Sequence, residues 1–221
     1  MAKSTDLRRQ AQEFAAQIQS LLNTTVCNGA KVSATPVPND VVTVAPGLRP
    51  SDPLLAPSPL PLTPNNKKPK AWLDLQYRCY LGESGHLMVV SSFCGVYADE
   101  GRQDCLCHYD YERGKDTYPE AHLQVYGTSP ALKSMTKASG VRRVAGLEKL
   151  HFPVGGRRYR PTLEDIVEFL IVEKFATGRD GWEQVVQENR DRFLEIQLRA
   201  AIRRRPDVAH QVLNELPAAE S

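Results

Sequence analysis

Between Thr35 and Lys70 the chain places ten of its sixteen prolines. Each proline fixes its own φ and removes a backbone donor. A stretch such as "PSDPLLAPSPLPLTP" therefore cannot run a regular hydrogen-bonded ladder, and polyproline-like extension is its expected state. The closing "NNKKPK" adds positive charge. This segment divides the chain into an N-terminal helix (residues 1–34), a proline-rich linker or arm (35–70) and an α+β domain (71–221).

Periodicity supplies the rest. Leu7, Ala11, Phe14, Ala15, Ile18 and Leu22 recur at helical spacing and predict an amphipathic helix over 5–23. Placed ahead of a proline arm, that helix reads either as a packed element or as a tethered partner-binding helix. After residue 70 the period changes to two. In "AWLDLQYRCYL" the side chains of Leu73, Leu75, Tyr77 and Cys79 alternate with Asp74, Gln76 and Arg78, the pattern of a strand buried on one side. Further strands are predicted at 86–97, 105–112 and 121–127. Their connections are short, which favours an antiparallel meander. Residues 130–137 suggest a short helix. Thr162 is placed to cap a helix over 163–176, with Asp165 in the reciprocal position. Asp180 is placed to cap a longer helix whose inner face holds Trp182, Val185, Val186, Asn189, Phe193, Ile196 and Ala200. Pro206 opens a last helix, with Ala209, Val212, Leu213 and Leu216 turned inward. The expected architecture is α+β. An antiparallel meander sheet of about four strands carries C-terminal helices on one face, plus an N-terminal helix on a proline-rich arm.

Composition excludes several classes. Lys and Arg number 28 against 26 Asp and Glu, so no global basicity argues for nucleic acid. No apolar run approaches the roughly 18 residues of a membrane span, and the first residues lack the apolar core of a secretory signal. A cytoplasmic location without membrane contact is expected. The five cysteines are odd in number, and Cys105 and Cys107 form their only close pair. Reduced thiols are expected.

Two groups of residues suggest chemistry. His108 and Asp110 in "CLCHYDYE" share a strand face, as do His122 and Gln124 in "EAHLQVY". If these strands pair, His108, Asp110 and His122 converge. Imidazoles near neutral pH suit proton transfer. Two histidines and a carboxylate also suit a divalent metal, but the sequence holds no complete metal, nucleotide or hydrolase motif. The site is accordingly read as free of metal and cofactor. The second group follows His151 in "LHFPVGGRRYRPTLED". Gly155 and Gly156 allow close backbone approach, Arg157, Arg158 and Arg160 present forked donors, and a helix N-terminus follows, which together suit phosphate. His151 would join the strand histidines if this loop folds over the sheet. Arg199, Arg203, Arg204 and Arg205 end a helix, where cations are stabilising in any case. With Arg142 and Arg143 they could also form a polyanion-binding face.

The segment from Lys149 to Lys174, continuing to "RAAIRRRPDVA", resembles a family of uncharacterised actinobacterial proteins that share an H-F-P-x-G-G-x-R-x-R-P-x-x-E-D segment. The strand histidines are similar, more loosely, to those of TumE-like toxins of toxin–antitoxin modules. Family members are encoded beside helix-turn-helix regulators, so the resemblance implies a toxin–antitoxin or phage-defence pairing. The expected function is a toxin-like or phage-defence effector acting on RNA or a nucleotide, as a metal-independent ribonuclease or phosphoryl-transfer enzyme. His108, Asp110, His122 and His151 would be catalytic, and Gly155, Gly156, Arg157, Arg158 and Arg160 would bind phosphate. The expected partners are RNA or a nucleotide and a cognate regulator or antitoxin. Two alternatives are a protein-binding module (an antitoxin or adaptor) using the N-terminal helix and arm, and a nucleic-acid-binding regulator.

Overall fold

The alternating stretches become neighbouring strands: β4 (Trp72–Leu81), β5 (Leu87–Tyr97), β6 (Cys105–Glu112) and β7 (Ala121–Val125). The computed structural model describes residues 2–48, 57–65, 67–130, 146–154 and 161–215. The four strands pair as an antiparallel meander, with bulges between Arg78 and Cys79 and between Val96 and Tyr97. The expected helix at 130–137 lies, beyond Pro130, outside the described residues.

The sheet is larger than the expected four strands. It has eight, in the order β1-β2-β4-β5-β6-β7-β8, with β3 also paired to β4. Three of the additional strands draw on the stretch read as an arm: β1 (Val32–Val37), β2 (Val41–Pro46) and β3 (Leu60–Pro61). The prolines permit this because of where they stand. Pro36 lies on β1, the edge of the sheet, where a missing donor need not interrupt an interior ladder. Pro46 and Pro61 are the last residues of their strands. The turn between β1 and β2 places Asn39 at φ 66° and Asp40 at φ 53°. Asn and Asp are the side chains that enter the left-handed region most readily. The eighth strand, β8 (Phe152–Pro153), pairs with β7.

The N-terminal helix is no tether. α1 (Ala2–Thr25) buries Leu7, Ala11, Ala15, Ile18 and Leu22 in the main core, against Val44, Leu73, Leu75 and Val96 of the sheet. Polar ties fix its rotation. The Gln10 amide donates to the Gly85 carbonyl and accepts from Leu87 N, both at 2.8 Å. Val32 N donates to Gln19 Oε1 at 3.0 Å. The apolar stripe that a partner-binding reading would use is thus spent inside the molecule.

The same face of the sheet receives α2 (Leu163–Val172), which buries Leu163, Ile166, Val167, Leu170 and Ile171. Thr162 and Asp165 form a reciprocal capping box, with Asp165 N donating to Thr162 Oγ1 at 3.4 Å and Thr162 N to Asp165 Oδ2 at 2.8 Å. α3 (Trp182–Arg204) starts after Gly181 at φ 77°, not from an Asp180 cap. Its first turns pack on the core through Trp182, Val185 and Val186, and Arg190 joins Asp165 and Glu168 of α2. Beyond that point the expected inner faces are not buried. Ile196 is exposed, and α4 (Pro206–Glu215) buries no residue, with Val212 and Leu213 in solvent. Leu216 lies outside the described residues. The C-terminal helices therefore pack on the sheet only in their first half.

Candidate functional site

On β6, Cys107, Tyr109 and Tyr111 turn to the core, so His108 and Asp110 face the opposite side of the sheet. The register of β6 with β7 sets Asp110 directly opposite His122, and His108 opposite Gln124. β8 then sets Pro153 beside His122 and brings His151 into reach. Gly95 on β5 lies opposite His108, and a Cβ there would come within 3.0 Å of the Phe93 ring and 2.7 Å of the Tyr97 ring. The absence of that carbon lets Phe93 lean over β5, with its ring centroid 5.3 Å from that of His108.

Four groups meet there. His108 Nε2 lies 3.2 Å from Asp110 Oδ2, and His122 Nε2 lies 3.6 Å from the same oxygen. The His122 and His151 rings stand edge to face with centroids 4.6 Å apart. Tyr118 stacks flat on His151 at 4.5 Å.

The hydrogen-bond network assigns most of the protons. Gln124 Nε2 donates to the Glu148 carbonyl at 2.7 Å, which turns Oε1 toward His108 Nε2 at 2.6 Å. His108 Nε2 therefore carries a hydrogen, shared between Gln124 and Asp110. His122 Nδ1 donates to the Pro119 carbonyl at 2.9 Å.

The environments bias two of the rings in opposite directions. Burial opposes a charge on His108, but the bonds to Asp110 and Gln124 and the Asp110 charge outweigh it and raise its pKa above 6.5. Burial and the neighbouring charge of His122 lower the His151 pKa below 6.5, against an opposing pull from Asp110. Opposite shifts of this kind suit an acid and a base. His122 is only 2% exposed and His108 9%, whereas the Asp110 side chain is 30% exposed and His151 half-buried. The cluster is thus open to solvent on the side of Asp110, His151 and the exposed Tyr126, whose ring lies 5.8 Å from His108.

Among the described residues, no group of three or more His, Cys, Asp or Glu is arranged to hold a metal ion. None of the five cysteines is in a disulfide, and Cys107 is buried on the core side of β6. A shallow hollow lies at the other end of the sheet, lined by Leu7, Arg8, Pro36 and Val42, and contains no histidine.

Gly155, Gly156, Arg157, Arg158 and Arg160 lie outside the described residues, as do Arg142 and Arg143. At the end of α3, Arg199 pairs with Glu195 and Arg205 with Asp207. Sequence reading missed Phe93 and Gly95 of β5 and Tyr118 of the loop before β7, which carry no local motif. The single usable signal was Gly95 inside an apolar strand, since such a glycine marks a close approach. Among the described residues no helix is long and apolar enough to cross a membrane. No family model matches the chain, and no curated protein or solved structure is significantly similar to it.

Proposed function

We propose that the chain is a toxin-like or phage-defence effector, working in the cytoplasm as a metal-independent ribonuclease or phosphoryl-transfer enzyme. The observation that carries this reading is the meeting of three imidazoles around one carboxylate, with His108 and His151 biased toward opposite protonation states. Neutral His151 takes the proton of a ribose 2′-hydroxyl. That oxygen attacks the adjacent phosphorus, and the 5′-oxygen leaves with the proton of the His108 imidazolium. The products are a 2′,3′-cyclic phosphate and a free 5′-hydroxyl. Asp110 holds His108 and His122 in register, and the exposed ring of Tyr126 suits stacking on an unpaired base. Arg157, Arg158 and Arg160 follow His151 closely in the chain and would supply guanidinium groups to the charge that develops on phosphate.

The test is cleavage of end-labelled single-stranded RNA in excess EDTA, with product ends resolved chemically. Wild type should leave cyclic phosphate ends, and His108→Ala and His151→Ala should each lower the rate by about 100-fold or more. A wild-type protein without cleavage activity, or full activity in both variants, would refute the reading. Induced expression should slow growth for wild type and not for His151→Ala.

A further inference from the structure

We infer that the outward side of α3 docks against α3 of a second copy of this chain, in antiparallel orientation about a two-fold axis at Leu198. The inference is independent of the acid–base cluster. α3 carries two apolar stripes. The first, through Trp182, Val185 and Val186, packs on the body, and Phe193 is half-buried. The second is Leu194, Leu198, Ala201 and Ile202, at the i, i+4, i+7, i+8 spacing of a helix seam. At 3.6 residues per turn its centre lies about 125° around the helix from Phe193. The stripe lies exposed: Leu194 is 56% exposed, Leu198 61% and Ile202 46%.

Charge points to the occupant. Before Leu198, α3 holds Glu183, Glu188, Asp191 and Glu195, and after it come Arg199, Arg203, Arg204 and the cap residue Arg205. Arg190 in the acidic half is already spent on Asp165 and Glu168. Arg192 is the one other cation there, and it projects away from the seam. A helix with an acidic beginning and a basic end complements itself when reversed, and a two-fold axis produces that reversal. With the axis at Leu198, Leu194 meets Ile202 of the second copy, and Asp191 meets its Arg205. Opposite charges then bracket the apolar centre at both ends. Their present partners are exposed neighbours, Asp207 for Arg205 and Gln187 for Asp191, and exchanging such contacts costs little.

Beyond Arg192, across the break at Arg205 and through α4, only Phe193, Ala200 and Ala209 are not exposed.

Sedimentation equilibrium at roughly 50 µM protein, well above the Kd of a stable dimer, tests the inference. Wild type should weigh twice 24.6 kDa and Leu198→Glu should weigh 24.6 kDa. Oxidation of Leu198→Cys should give a covalent dimer, because identical residues meet on the axis. Arg192→Cys should give none. The Leu198→Cys readout stands even if Leu198→Glu fails to fold. A monomeric wild type would overturn the inference and assign the stripe to a different protein or surface. A dimer that survives Leu198→Glu, or that cross-links through Arg192→Cys instead, would also overturn it.

Discussion

The His108 side chain shows how much a single residue gains from its surroundings. Alone, a strand histidine is a common hydrogen-bonding residue. Here Gln124 orients it, Asp110 charges it and Phe93 shields it. Because its pKa is raised in the folded state, the folded protein holds this proton more tightly than the unfolded chain. The stabilisation is complete below about pH 6.5 and is lost as pH rises through the folded value. His151 acts with the opposite sign, losing stability as pH falls below about 6.5, and more weakly because solvent screens it. Urea midpoints should therefore fall between about pH 6 and pH 8 in wild type. In His108→Gln that slope should flatten, and an unchanged slope would deny His108 its raised pKa.

At the scale of elements, local chemistry set most of what sequence reading could see. The Thr162–Asp165 capping box is a four-residue signal and needs no tertiary partner to be recognised. Thr162→Ala should cost about 1 kcal/mol, a melting shift of about 2–4 °C for a chain of this size. Thermal unfolding followed by circular dichroism reads it directly, and Thr162→Ser should restore most of the loss. β4 to β7 were equally visible, because a strand covered on one face must alternate. The β1–β2 hairpin was not, because its prolines masked it. Proline forbids an interior donor, but it does not forbid an edge position or a strand end, and only the pairing order shows which of these a proline occupies.

At the scale of the molecule, α1 and the sheet form one core with α2 and the start of α3. Leu22 is fully buried there. Leu22→Ala should destabilise the entire unit by roughly 2–5 kcal/mol. Chemical denaturation should show one cooperative transition shifted as a whole. A loss confined to helix signal, with the sheet unaffected, would instead describe a separate helix. Half of α3 and all of α4 stand outside this core. Their apolar side chains matched a helical period as well as those of α1 do, so spacing did not distinguish a stripe that meets its own body from one that meets another molecule.

The candidate site divides along the same line. That His108 and Asp110 share a face, and His122 and Gln124 likewise, was legible from the two-residue period of a strand. The pairing of Asp110 with His122, the arrival of His151 through β8, and the flat contact with Tyr118 were not. Side-chain periodicity depends on neighbours along the chain and is therefore written in it. Register, layer and exposure depend on contacts between segments far apart in sequence, and those contacts exist only once the chain has closed on itself.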